Sequence, residues 1–295
     1  MAELEDYSKT AASNNATSPD GWPENMAPSG VNNSDREFAA AVRTFWEGIG
    51  RNALTGLGLS NAADADHDIT IAAGFARDSA NAADLLLTAA MTKQIDATWA
   101  AGSAAGGLFT GAVGNTTWYH VFLIKKTSDN TIDAGFDTSV TAANIPAGYA
   151  AYRRLGAVLT NGSANIVAFT QVGDVFLWTD PPLDINGVTV TGTTALQTLS
   201  VPLGVRTIAR IVFQVVRAVG DSTMYLATPD QADEAAALTT APLGQGRGAS
   251  AGLYGAGEAH ILTNTSSQIQ AAADGADRLL YISTSGWIDS RGKDT

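Results

Sequence analysis

The sequence predicts a mainly β chain. An extended N-terminal hook and a short amphipathic helix come first, and two β-sandwich-like modules follow. Three observations point there. From Ile69 onward, short runs rich in β-branched and aromatic residues recur between turn signals. One stretch only, Phe38 to Trp46, repeats apolar residues at helical spacing behind a helix-start signal. The chain has 30 glycines and no cysteine, so it is rich in turns and held by packing rather than by disulfides. A length of 295 residues suggests about two domains. The expected division is residues 1–50 for hook and helix, 51–66 for a linker, 67–180 for a β-rich domain and 181–295 for a second β domain.

Residues 1–20 are polar and read as extended or flexible until bound. Pro23 and Pro28 then fix their own φ and push Trp22 and Ala27 towards extended conformations. Trp22 and Met26 become apolar anchors on a stiff segment. They can fold back on the chain's own helix or dock on a partner, and docking is the expectation. Ser34 and Glu37 have capping-box spacing, and Asp35 and Glu37 suit the positive end of a helix dipole. Phe38, Val42, Phe45 and Trp46 follow at i, i+4, i+7 and i+8, and Gly48 suits the position after the last turn. A helix of about three turns is too short to stand alone, so its face is expected against another copy or the protein it attaches to.

Beyond the linker come the expected strands. In the first module they are DITIAAG, ADLLLTA, TTWYHVFLIKK, TIDAGFD, YRRLGAVLT, NIVAFTQ and DVFLWTD. The stretch TKQIDATWAAGSAAGG fits either a strand or a helical turn and is left open. Asp180-Pro181-Pro182 reads as a stiff joint between the modules. GVTVTG, LQTLSVPL, TIARIVFQVVRAV, MYLATP, AHILTNT, SQIQAAA and RLLYISTSGWID supply the second set, with Pro229 to Gly257 as one long Ala/Gly-rich loop.

Composition narrows the chemistry. A formal net charge of −12 argues against a large nucleic-acid footprint. The basic pairs Arg153-Arg154 and Lys125-Lys126 read as solvated strand edges or inter-subunit partners. No stretch approaches 18 apolar residues, so no membrane insertion is expected. The opening MAELEDYSKT lacks the basic-plus-apolar pattern of a secretory signal, which fits synthesis in a cytoplasm. Absence of cysteine removes thiolate catalysis and cysteine zinc sites.

Asp64, Asp66 and Asp68, with His67 among them, begin like a calcium loop. The pattern fails at Ile69, where the turn glycine belongs, and at Phe75, where a bidentate glutamate belongs. A solvated acidic linker fits better. Of the histidines, His67 sits in that linker, His120 lies in an apolar strand and reads as a core residue, and His260 begins a strand. No G-x-S-x-G elbow accompanies them. Asp129, Asp133, Asp137, Asp174 and Asp180 are carboxylates that sequence alone cannot pair for glycan hydrolysis. Tyr149, Tyr152, Trp178, Tyr225, Tyr254 and Trp287 are candidates for stacking on sugars, with core packing the default and Trp178 placed to pack between the modules. No catalytic residue, cofactor or metal is expected.

One resemblance adds to this. The residues Asn14, Asn15, Gly21, Trp22, Pro23, Glu24, Met26, Ala27, Pro28, Val31, Asn32, Asn33 and Arg36 match a "GWPEGMAP…VNN…R" segment. This resembles the N-terminal segment of tailed-phage tail-fibre and related virion appendage proteins, with Asn25 standing where a glycine is common. The stretches TWAAGSAAGGL, TWYHVFLI, DAGFDTSVTAANIPAGYAAYRRLGAV and GWIDSRGKD are similar to the same group of proteins. Residues 181–255 carry least of the likeness. The resemblance implies a structural virion protein, trimeric, whose N-terminus plugs into the particle. Its partners are then its own copies and tail or portal-adaptor proteins, with a host surface glycan as a possible distal contact. Trp22, Pro23, Met26, Pro28, Phe38, Val42, Phe45 and Trp46 are the expected anchor residues. The alternatives are a capsid-decorating or carbohydrate-binding module and, behind it, a glycan depolymerase spike.

Overall fold

A computed structural model describes residues 15, 22–23, 25–217, 222–233, 235–237, 245–246, 254–276 and 278–293. The polar lead expected to be flexible lies outside these residues, apart from Asn15. Among the described residues the architecture is mainly β, with one helix near the N-terminus.

That helix, α1, spans Pro28–Ile49 and is 22 residues long. It is twice the expected length because it begins earlier. Pro28 takes the first helical position, where its missing N–H costs nothing and its fixed φ is already helical. Ala27 before it is extended, at φ −62° and ψ 147°, and caps the helix without a side-chain hydrogen bond. The capping box expected at Ser34 and Glu37 is therefore overturned. Both residues lie inside the helix. Ser34 is fully buried, and its hydroxyl donates to Met26 Sδ at 3.9 Å.

The expected linker holds two strands, β1 (Leu54–Gly56) and β2 (Leu59–Asn61). β3 (Asp68–Ile71), β4 (Gly74–Arg77), β5 (Asp84–Leu87), β6 (Met91–Thr98) and β7 (Ala105–Leu108) follow, then β8 (Trp118–Lys126), β9 (Ile132–Asp137) and β10 (Tyr149–Leu159). β1, β4 and β5 form a three-stranded sheet, and the rest form a seven-stranded sheet ordered β10-β8-β9-β7-β6-β3-β2. The stretch left open by the sequence becomes β6, a turn and β7. β7 is parallel to both neighbours, and the backbones there come very close. A Cβ on Gly135 would lie 2.2 Å from Phe109 Cε1 and 2.5 Å from the Gly107 carbonyl.

β8 is apolar at nearly every position because both its faces are covered. Tyr119, Val121 and Leu123 join the main core, while Phe122 and Ile124 pack with Ala142 and Tyr149 on the other face.

The remaining strands are β11 (Phe169–Val172), β12 (Val175–Trp178), β13 (Leu183–Val190), β14 (Ala195–Thr198), β15 (Ile208–Arg217), β16 (Ser222–Ala227), β17 (Gln245–Gly246), β18 (Tyr254–Leu262), β19 (Gln268–Ala273) and β20 (Arg278–Ile288). β14-β19-β16-β17 is a four-stranded sheet. β11-β12-β20-β15-β18 is the other, and β13 also pairs with β20. β20 thus holds β15 on one side, and β12 and β13 one after the other on its opposite side. The boundary expected at Asp180 falls inside this sheet: strands on both sides of Pro181-Pro182 pair with the same partner. The long loop expected from Pro229 to Gly257 contains β17 and the start of β18 among its described residues.

One buried apolar cluster runs from Leu57 to Trp287 and includes both halves of the chain. At its centre Trp287 stacks on Phe176, with centroids 5.1 Å apart and planes 5° from parallel, and meets Trp178 at 4.9 Å and Trp118 at 5.5 Å. The Trp287 indole N–H has no acceptor among the described residues. Its contribution is therefore apolar. Trp287→Ala is expected to lower stability by about 3–5 kcal/mol, and Trp287→Phe, which keeps one ring in the site, by less. Urea unfolding followed by fluorescence and far-UV circular dichroism checks both expectations. A shared core requires one coincident transition, and two separable transitions with only one shifted by the mutation would contradict it.

Candidate functional site

Two regions stand out, the N-terminal segment and a buried ionic cluster beneath a cleft. In the first, Asn25 has φ +62°. This is the left-handed region, which glycine enters freely and asparagine next most easily. Asn25 thus makes a turn that a glycine would make as readily. The turn brings the hook back onto α1. Trp22 meets Phe38 edge-on at 5.6 Å, and its Nε1–H donates to Asp35 Oδ1 at 3.0 Å. Pro23 is half-buried beside it. Trp22 and Met26, expected to reach outward to a partner, are applied to their own helix instead.

Phe38, Val42 and Phe45 remain 40%, 40% and 47% exposed, and Val31 adds another 40%. Residues 31, 38 and 45 are seven apart and 42 lies between the last two, so they form one stripe along the helix. Trp46 leaves the set. It packs edge-on against Phe75 of β4 at 5.6 Å and is the ring that joins the helix to the β body. No strand runs along α1 among the described residues.

The second region contradicts the expectation for Arg153 and Arg154. Both are buried rather than solvated. Arg154 on β10 makes a bidentate pair with Asp289, at 2.9 Å (Nη1 to Oδ1) and 2.7 Å (Nη2 to Oδ2). Its Nε–H donates to His120 Nδ1 at 2.9 Å. A guanidinium has no acceptor to offer, so Nδ1 must be the unprotonated nitrogen. Nε2 then carries the proton and bonds the Leu203 backbone. Burial, and next the Arg154 charge, push His120 down to about 3. Burial alone would raise Asp289, but the Arg154 charge and the hydrogen bonds from Arg154 and the Arg291 amide outweigh it and hold the carboxyl below its usual range.

Above this pair lies a cleft of about 490 Å³. Tyr152 to Arg154, Val140-Thr141, Gly204 to Arg206 and Asp289 to Gly292 are among the residues that line it. Gly204 has φ +84°, and a side chain there would run into Val140 Cγ1 at 2.6 Å. The arginines come from positions up to 138 residues apart, so no local sequence signal unites them; the Arg153-Arg154 dipeptide was the one visible trace.

Other candidates disperse. Asp133 holds the buried Lys93 at 3.1 Å, and Asp137 accepts from Ser139 and Asn144. Asp129 pairs with Lys126, Asp174 with Arg291 and Lys293, and Asp180 is exposed. Asp64 binds His67 at 3.1 Å, and among the described residues no group of three or more such side chains converges on a metal position. His260 is exposed, and its Nε2 accepts from the Arg210 Nε–H at 3.2 Å. Trp178, Trp287 and Tyr149 are buried, Tyr152 and Tyr225 are half-buried, and the Tyr254 side chain lies outside the described residues. No helix among the described residues is long and apolar enough to cross a membrane.

No protein-family model matches the chain, and no curated protein matches it. A solved structure described as "Structure of infectious bursal disease virus Gx strain" is similar at 13% identity, covering 80% of this chain and 74% of that one, with a TM-score of 0.17. At that score the likeness carries no argument.

Two expectations follow. Asp289→Asn leaves a buried guanidinium without its counter-charge and should cost about 3–5 kcal/mol, whereas the double change Arg154→Met/Asp289→Leu should cost less than the sum of its single changes. Denaturant titration of the unaltered chain, Asp289→Asn, the two single changes and the double change measures this. The pH dependence has a defined sign. His120 binds its proton less readily folded than unfolded, so stability is complete above about pH 6.5 and falls with pH towards 3, by at most about 1.4 kcal/mol per unit. His67, raised chiefly by its bond to Asp64, acts in the opposite direction and is solvent-accessible. In His120→Asn, whose Oδ1 can accept from Arg154, the fall between pH 6.5 and 4.5 should vanish. Stability measured across that range checks it, and an unchanged slope would remove His120 as its source.

Proposed function

We propose that the chain is a structural, non-enzymatic tail-fibre or collar-fibre protein of a tailed bacteriophage, made in the host cytoplasm and carried on the virion by its N-terminal segment. The observation that carries this is the exposed stripe of Val31, Phe38, Val42 and Phe45 on a helix along which no strand runs among the described residues. A stripe of this kind marks an interaction surface. Its occupant in this reading is the same stripe of sibling copies. The seven-residue spacing of 31, 38 and 45 is the period at which parallel helices keep one seam in contact. Three copies then build a bundle, braced on the outside by the Trp22 hook, and the bundle seats in tail or portal-adaptor proteins. The β body projects from it and is free to meet the host surface. The likeness of the opening segment to virion appendage proteins supports the location.

The test compares the intact chain, a version lacking residues 1–50 and Phe38→Glu/Phe45→Glu. Light scattering gives the mass of each, and sedimentation with fibre-less particles gives attachment. The intact chain should co-sediment and, free in solution, should rise from the mass of one copy towards that of three only at high protein concentration. Both altered chains should lose co-sedimentation by more than about tenfold, and the double variant should keep the mass of one copy at that concentration. Equal attachment by the truncated chain would instead favour a capsid-decorating or carbohydrate-binding module that does not use its N-terminus.

A further inference from the structure

We infer that the arginine-lined cleft binds an anionic saccharide unit, holding its carboxylate or phosphate on Arg154, Arg206 and Arg291 and its ring against Val140, Val205 and Tyr152. The first argument is charge. The chain carries a formal −12, yet Arg153, Arg154, Arg206 and Arg291 line this cleft, and they still outnumber the three carboxylates paired with them, Asp289, Asp230 and Asp174. In a strongly acidic molecule such a local inversion attracts small anions that the rest of the surface repels.

The second argument is preorganisation. Each guanidinium in the grip is held by acceptors of its own. Arg154 is held by Asp289 and His120. Arg291 is held through Nε by Asp174 at 3.1 Å and through Nη1 by the Leu57 carbonyl at 3.4 Å. Arg206 is held by Asp230 and, at 3.3 Å, by the Thr263 carbonyl. A guanidinium has five N–H donors in a fixed plane. These bonds use three on Arg154 and two each on Arg206 and Arg291, so donors remain while the side chains are already fixed. Binding an anion then costs little side-chain entropy, and bonds from charged donors are the strong ones.

The third argument is shape. A volume of about 490 Å³ lies in the range of small-molecule sites. A nucleic acid needs an open basic stripe instead. A bare anion has no use for the apolar flanks of Val140, Val205 and Tyr152, or for the hydroxyls of Ser79, Thr141 and Thr265 around them. A sugar acid uses all of them: C–H faces on the apolar flanks, ring hydroxyls on the polar rim, and the charged group on the guanidiniums.

The inference is independent of how the chain attaches to a particle, since binding is read in solution. Isothermal titration of the full chain with glucuronic acid, glucose 6-phosphate, glucose and inorganic phosphate supplies the test. At least one anionic sugar should bind ten times or more tightly than glucose and more tightly than inorganic phosphate. Which of the two prevails identifies carboxylate or phosphate as the charged group. Arg206 is the variant of choice, because its side chain is 44% exposed and its removal should spare the core. Arg206→Gln should weaken the anionic sugar about tenfold while the melting temperature stays unchanged. Glucose binding as tightly as both acids would overturn the proposal. So would inorganic phosphate matching the sugar phosphate, which means an adventitious ion only, or an affinity unaffected by Arg206→Gln.

Discussion

A guanidinium taken out of water needs a counter-charge and acceptors, and Arg154 collects three bonds from distant parts of the chain. Asp289, near the C-terminus, takes both terminal nitrogens, and His120 of β8 takes Nε. Isolated burial of each ion costs several kcal/mol, so the arrangement is tolerable only when complete. Completion requires β8, β10 and the last turn to be docked together. The pair therefore acts less as a source of stability than as a condition on assembly: a partly docked C-terminus leaves a buried charge exposed to the full penalty. His120 belongs to the same condition, because only its neutral form can accept from a guanidinium. Arg291 extends the tie, linking the C-terminal turn to Asp174 and to the Leu57 carbonyl.

Once that turn is in place, the centre of the molecule follows. β20 ends one residue before Asp289, so fixing Asp289 fixes Trp287 and Ile288. Trp287 then sits between Phe176 and Trp118, and Trp178 closes the cluster with its own N–H on the Ser200 carbonyl at 3.0 Å. The Pro181-Pro182 dipeptide gains its meaning here. It lies between β12 and β13, which both pair with β20, and the Pro182 carbonyl accepts from Thr284 at 3.1 Å. The two prolines are a stiff corner within one sheet rather than a hinge between two bodies.

This explains what the sequence discloses. Strand identity is legible wherever burial is strong, as in WYHVFLIKK and TIARIVFQVV, because the apolar pattern is local. Strand partnership is not. The pairing of β12 with β20 joins residues more than a hundred positions apart, and a proline pair looks the same at a corner and at a joint. β1 and β2 escaped notice because three-residue strands in RNALTGLGLSNAAD carry no periodicity. The helix is legible but not its start, for the nearby Ser34-x-x-Glu37 spacing imitates a cap while Pro28, the true signal, fits an extended hook equally well. The cleft was least legible. Arg206 and Arg291 are unremarkable in their local sequences, and only the fold brings them to Arg153 and Arg154.

The exposed helix stripe sets a limit on how attachment can work. Full burial of a Val or Phe side chain contributes about 1.5–3 kcal/mol. Four residues with roughly 40% of their surface still exposed hold about 2–5 kcal/mol per copy on that scale. Bringing free partners together costs an estimated 4–15 kcal/mol. The stripe alone therefore gives weak association between free chains. It becomes effective when copies are already held close, because a second contact within an assembly forms at a high effective concentration. A socket with three-fold geometry meets that requirement and two free monomers do not. In the proposed reading the particle completes the bundle as much as the bundle holds the particle, and the short apolar stripe avoids aggregation in the cytoplasm because it is too weak to pair before assembly begins.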